Sequence, residues 1–241
     1  MGTDRRPIGV LGGMGPQASC RLYSLLTELA VADYGADSND SYPEVVLLSV
    51  PVPDFIGDDQ KRPSAVAMLQ DRLRRAEALE PVCWGISCNT VHVVIPELQP
   101  VTRAPFVSMI EEVVDVAVGL GVEAIGLLST PMTRKYGLYR EALAARGLPS
   151  LDVTDEQAET IEGVIRDVLS GQNSPAQAAV LGALGDELVR RGAGGLILGC
   201  TELSLAFPQA AKPYPVIDCL QVFARTLLDV YYGRREAPAC R

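Results

Sequence analysis

The sequence contains one histidine, His92, and no Cys-x-x-Cys spacing. A zinc site of the cysteine and histidine kind is therefore not expected, and no metal is assigned. A basic excess is missing too. The chain has 21 Lys and Arg against 30 Asp and Glu, a formal net charge of -9. That balance argues against nucleic acid or an anionic membrane as a partner. No apolar run approaches the roughly 18 residues that span a bilayer. Met1 to Arg6 is charged and leads straight into an apolar strand, so no signal peptide is expected and the cytoplasm is the expected compartment. The six cysteines, at 20, 83, 88, 200, 219 and 240, are scattered. In that compartment they are expected to be free thiols rather than disulfides.

What is present is alternation. Short apolar runs at 7–11, 44–50, 82–86, 106–109, 124–128, 151–153, 195–198 and 216–217 read as strands. Between them lie helical patterns at 16–32, 63–79, 110–119, 155–169, 175–191 and 219–232, a helix closed by Pro96 and Pro100, and one running on to Ala145. Strands that alternate with helices predict an α/β fold with parallel sheets. Two such rounds predict two similar Rossmann-like lobes: 1–102 plus 215–241, and 103–214. The first strand runs into Gly12-Gly13-Met14-Gly15-Pro16, a tight turn with Pro16 suited to the first position of a helix. Gly13, Gly15 and Ala18 fit the dinucleotide pattern only in part, and no ribose-binding acid follows, so no nucleotide cofactor is expected.

Two stretches repeat one arrangement: Ile86-Ser87-Cys88-Asn89-Thr90-Val91-His92 and Ile197-Leu198-Gly199-Cys200-Thr201-Glu202-Leu203. Each follows an apolar strand and is expected to open a helix. Each places a Cys at a strand's carboxyl end, where ligands bind in open α/β sheets. A lone Cys in such a place is usually a small buried hydrophobe; two in matched contexts point to a shared chemical task. Cys20, Cys83 and Cys219 lack that context and read as packing, and Cys240 as part of a tail.

Together with Thr130-Pro131-Met132-Thr133 to Tyr139, these motifs fall in an order that resembles the aspartate/glutamate racemase family over nearly the whole chain. The resemblance implies a cofactor-independent racemase. Its two domains would be related by a pseudo-twofold axis with the substrate between them, and homodimers are usual. Racemisation removes the Cα proton from one face and returns one to the other. One base alone tends to restore the original configuration, whereas a thiolate and a thiol on opposite faces invert it. A thiolate at a helix N-terminus is favoured by the helix dipole. Cys88 and Cys200 are the expected pair. Asn89, Thr90 and Thr201 are expected to hydrogen-bond the substrate carboxylate and stabilise an enolate-like transition state. Met14, Gln60, Thr130 and Thr133 complete the expected pocket, with Thr130 and Thr133 equally readable as capping hydroxyls.

His92, one helical turn after Cys88, is either a tuning or a packing group. Glu202 reads as a first-turn acid or as a group that orients Cys200. Aspartate-specific members tend to carry Arg after Pro-Asp and Lys before a helix-ending Gly; here those places hold Phe55 and Leu169. Arg134 and Lys135 are candidates for a substitute charge. The expected substrate is therefore aspartate or glutamate handled loosely, or another amino acid. A decarboxylase of the fold needs only one of the two cysteines. A maleate-isomerase-like enzyme would also use a nucleophilic Cys. A non-catalytic small-molecule sensor would need no paired thiols.

Overall fold

The computed structural model describes residues 6–53, 55, 59–208 and 210–238. The chain forms two compact units, 1–109 with 223–241, and 110–222.

The first unit begins with β1 (Ile8–Gly12), buried along its whole length, and α1 (Pro16–Tyr34). Ala18, Leu22, Leu25, Leu26 and Leu29 of α1 are buried, the three-and-four spacing of one helix face. Then come β2 (Val45–Ser49), α2 (Arg62–Ala76) and β3 (Cys83–Ile86). The parallel strands lie in the order β2-β1-β3. β1 and β3 are covered on both faces, which is why their sequences are apolar runs rather than alternating ones. After Cys88 the chain makes a 3-10 turn at Thr90–Val94 and the short α3 (Ile95–Leu98). The expected strand at 106–109 is reduced to one bridge, Phe106 to Trp84. Pro105 has no N–H to extend that ladder, and Met109 already opens the next helix, α4 (Met109–Gly119).

The second unit repeats the scheme. β4 (Ile125–Ser129) is followed by α5 (Pro131–Lys135) and α6 (Leu138–Ala144). One helix was expected here; Gly137, at φ +64°, breaks it into two. β5 (Ser150–Asp152), α7 (Asp155–Leu169), α8 (Pro175–Arg190) and β6 (Leu196–Gly199) follow. Both α7 and α8 start with capping boxes, Thr154 with Gln157 and Ser174 with Gln177, so their first N–H groups are satisfied by side chains. Next come α9 (Leu203–Ala206), β7 (Val216–Asp218) and α10 (Cys219–Tyr231). The parallel order is β5-β4-β6-β7.

The division differs from the expected one at both joins. The bridge to Trp84 keeps residues 105–107 with the first unit rather than ending it at 102. β7 pairs with β6, so the return falls inside α10 at Phe223 and not at 215. Among the described residues no helix is long and apolar enough to cross a membrane.

Candidate active site

In the first unit the glycine turn sits at the carboxyl end of β1. Gly13 has φ +92°, and a Cβ there would lie 2.5 Å from the Val50 nitrogen. Only glycine allows this approach, and Val50 N–H donates to the Gly12 carbonyl at 2.9 Å. Ser19, one turn into α1, ties the turn down. Its Oγ accepts from Gly13 N–H at 3.0 Å and donates to the Gly15 carbonyl at 3.1 Å. The same hydroxyl lies 2.8 Å from Ser87 Oγ, while Ser87 N–H donates to the Leu11 carbonyl at 2.9 Å. The glycine turn and the Cys88 loop are therefore one hydrogen-bonded body. Cys88 is 4% exposed and packs in the same apolar cluster as Met14, Val50 and Phe55. Asn89 and Thr90 beside it are buried.

His92 holds this loop from the other side. Its Nε2 accepts from Met109 N–H at 3.0 Å, so Nδ1 carries the proton and donates to the Cys88 carbonyl at 2.8 Å. Burial holds its pKa down to about 4, against the opposing pull of its backbone bonds at Cys88 and Asn89. The imidazole is thus neutral near pH 7, with both nitrogens engaged by backbone. The imidazole is a packed group that ties the Cys88 carbonyl to the Met109 N–H.

In the second unit Cys200 follows β6, also 4% exposed, in an apolar cluster that includes Leu203, Ala206 and Phe207, with Leu169 packed against it. Its Sγ donates to Glu202 Oε2 at 3.1 Å, and Thr201 Oγ1 donates to the same oxygen at 3.0 Å. Glu202 is 3% exposed. Its other oxygen, Oε1, is buried without a hydrogen-bond partner among the described residues. Thr130 caps α5: its Oγ1 accepts from Thr133 N–H at 3.0 Å and donates to Thr133 Oγ1 at 2.9 Å. Both threonines are buried at the carboxyl end of β4.

Each Cys loop opens a helical segment built of short pieces. Cys88 leads into a 3-10 turn and Cys200 into the four-residue α9. The helical run after Cys88 continues through α3 and a further 3-10 turn at Gln99–Val101, whereas α9 ends after four residues. Phe207 turns to extended backbone and ends α9.

The remaining expected residues divide by unit and exposure. Phe55 is 2% exposed, whereas Gln60 lies exposed on the 3-10 turn Asp59–Lys61. Asp54 and Cys240 lie outside the described residues. Arg134 and Lys135 line a groove of about 540 Å³ with Arg140, Asp155, Glu159 and Glu162, and Arg134 pairs with Asp155 at 3.3 Å. Cys83 is buried, and burial pushes its pKa up to about 12. Cys219 is buried as expected, but Cys20 is exposed on α1 and is no packing residue. Its side chain falls on the outer face of the helix, one position past buried Ser19. Among the described residues no cluster of His, Cys, Asp or Glu could hold a metal.

Three residues were not given a role by the sequence. Ser19 and Ser87 join two motifs 68 residues apart, which no local pattern reveals. Tyr139 lies against Gly199, where a Cβ would come within 2.9 Å of its Cε2. Burial raises the Tyr139 phenol well above its ordinary pKa, with Cys219, Cys200 and Asp218 adding to the effect. It is a neutral neighbour of the Cys200 loop.

Two parallel-sheet units, each with a buried Cys at the carboxyl end of a strand, make up an α/β protein. The Asp/Glu/Hydantoin racemase family model matches residues 11–227. The chain belongs to that family and is an isomerase. It is 22% identical to a protein described as the broad specificity amino-acid racemase RacX of Bacillus subtilis (strain 168), over 93% of this chain and 97% of that one. The crystal structure of an aspartate racemase homologue from Pyrococcus horikoshii OT3 matches with TM-score 0.78 and 25% identity, covering 94% of this chain and 99% of the other. Picrophilus torridus aspartate racemase matches with TM-score 0.77 and 24% identity, covering 94% of each chain.

Proposed function

We propose that the protein is a cofactor-independent amino-acid racemase in which Cys88 and Cys200 are the opposed acid and base. The observation that carries this reading is the repeated placement: a buried thiol directly after a parallel strand in each unit, followed at once by hydroxyl or amide side chains. One thiolate takes the Cα proton, and the other thiol delivers its own proton to the opposite face. Reversing the direction swaps the roles. Asn89 and Thr90 donate hydrogen bonds to the substrate carboxylate as negative charge builds on it, the step where preorganised donors contribute most; Thr201 joins them by turning its hydroxyl away from Glu202.

The substrate in this reading is an amino acid with loose side-chain selection, aspartate and glutamate among those accepted. Phe55 is buried with Met14 and Cys88, and Leu169 packs on the Cys200 cluster. Apolar side chains therefore stand where a strict aspartate enzyme of this family would carry cations. The relative described as broad in specificity agrees with this. A cytoplasmic homodimer belongs to the same proposal, to be checked by sedimentation and cell fractionation.

The deciding experiment incubates the protein with single L-amino acids in heavy water and follows Cα–H by NMR and enantiomer content by chiral chromatography. Exchange with inversion on one or more amino acids is expected, unchanged after dialysis against chelator. Absence of exchange across the whole panel would remove the amino-acid reading, and loss of activity with chelator would remove the cofactor-free one.

A further inference from the structure

The two thiols have different electrostatic surroundings. Two residues after Cys88 stands Thr90, and two residues after Cys200 stands Glu202. Glu202 is 3% exposed and, among the described residues, accepts from two neutral donors, the thiol of Cys200 and the hydroxyl of Thr201, both on Oε2. Oε1 is buried with no hydrogen-bond partner among the described residues. The carboxylate thus sits 3.1 Å from the Cys200 sulfur and accepts that thiol's proton in a hydrogen bond. A thiolate at Cys200 would lose this bond and place a second negative charge against the first, where water cannot screen them. Like charges this close disfavour the charged form. His92, whose imidazole bonds the Cys88 carbonyl, contributes no charge near pH 7, because burial keeps it neutral.

We propose that Glu202 is a positioning residue that keeps the resting proton of the pair on Cys200, leaving Cys88 as the resting thiolate. This rests on the two-cysteine reading above. Each inversion then begins from one preferred arrangement. For one enantiomer, Cys88 removes the Cα proton and becomes S–H, while Cys200 gives up its proton and becomes S⁻. The net proton count is unchanged. The product state has its thiolate beside Glu202, and proton exchange with water restores the starting arrangement. For the other enantiomer the disfavoured arrangement must form first. Enantiomers have equal free energy, so kcat/KM is the same in both directions. The bias therefore appears as kcat and KM that differ by a common factor between L and D.

The test is alkylation of the full-length protein with iodoacetamide across pH 5 to 11, with each cysteine followed separately by peptide mass spectrometry. The midpoint of each pH curve reports thiolate formation and does not depend on how fast the reagent reaches the site. In the unaltered protein the Cys200 midpoint should lie at least about one pH unit above that of Cys88. Glu202→Gln keeps an acceptor oxygen and removes the charge. It should lower the Cys200 midpoint by about a unit or more, giving a roughly tenfold faster reaction of Cys200 at a pH below both midpoints. It should also bring the L and D values of kcat closer together. Coincident midpoints in the unaltered protein, or a Cys200 midpoint unmoved by Glu202→Gln, would overturn the assignment. If Glu202→Gln does not fold, the two midpoints of the unaltered protein decide the question. If the midpoints separate as expected but no amino acid is racemised, the proton assignment stands and the two-cysteine reading falls.

Discussion

Ser19, Ser87 and His92 tie the backbone of the Cys88 loop, whereas in the Cys200 loop a glutamate side chain bonds the thiol itself. In the first unit, Ser19, Ser87 and the neutral His92 fix the backbone around the thiol. None of these bonds involves a charged group. In the second unit, Glu202 engages the thiol itself. The repeated strand and loop therefore give two thiols of equal burial and unequal chemistry. Backbone placement follows from the parallel sheets and is shared by both units. What differs is the Glu202 side chain, which bonds one thiol and is replaced by Thr90 at the matching place after the other.

Removing either thiol is the largest break of this comparison. Cys88→Ala and Cys200→Ala should each lower racemisation by about 10²–10⁴-fold or more, the range of a lost acid or base. Each variant should still exchange the Cα proton of one enantiomer in heavy water, and the two should choose opposite enantiomers. Near-normal racemisation by Cys88→Ala would end the two-base mechanism.

Next in size is substrate choice. Charge-assisted hydrogen bonds contribute roughly 1.5–3 kcal/mol each, so an enzyme lacking the two cations should favour aspartate over other amino acids by less than about a hundredfold. Adding them back is unequal between the units. Phe55 is 2% exposed in the core, so Phe55→Arg would bury a guanidinium and destabilise the protein by several kcal/mol. Leu169 is only partly buried, so Leu169→Lys is tolerable and should raise relative turnover of aspartate by about tenfold. Turnover on L-aspartate, L-glutamate and neutral amino acids measures both. A strong aspartate preference in the unaltered enzyme would mean that other residues hold the side-chain carboxylate.

Much of this was legible in the sequence. β1, β3, β4 and β6 are short apolar runs bounded by glycine, serine or proline, and each lies within two residues of its expected place. What was not legible depends on distant partners or on local breaks. A run at 106–109 looks like a strand, yet Pro105 and the start of α4 leave it one bridge. The segments after each Cys have helical composition, but the first is a succession of 3-10, α and 3-10 pieces and the second stops after a single turn. His92 could be placed near Cys88 from spacing alone; that its second nitrogen is taken by Met109 requires the fold. Glu202 could be a surface acid at any helix start, and only its burial against Cys200 gives it a task.

His92 also separates the units by pH. Its folded pKa of about 4 lies below the ordinary 6.5, so the unfolded chain takes up the proton first as pH falls. Its contribution is fully present above pH 6.5 and is lost as pH drops toward 4, a loss of about 3 kcal/mol. Urea unfolding at pH 7, 5.5 and 4.5 should show this slope in the unaltered protein. His92→Gln should be less stable at pH 7, since the imidazole bonds are lost, and should show a flatter slope over that interval. An equal slope in both proteins would mean that other groups govern the acid sensitivity.

The smallest contrast concerns two serines at strand ends. Ser87 Oγ donates to Ser19 Oγ at 2.8 Å, with the Leu11 carbonyl 3.3 Å away. Ser129, at the end of β4, is fully buried, and its Oγ has no hydrogen-bond partner among the described residues. Deleting a bonded buried hydroxyl costs about 1 kcal/mol, whereas deleting an unsatisfied one relieves a desolvation penalty of similar size. Ser87→Ala should therefore lower the urea midpoint, and Ser129→Ala should leave it unchanged or raise it. Because Ser87 joins the glycine turn to the Cys88 loop, Ser87→Ala should also weaken activity modestly, through KM more than kcat. If Ser129→Ala destabilises as much as Ser87→Ala, the Ser129 hydroxyl is bonded in solution, and the contrast between the two strand ends disappears.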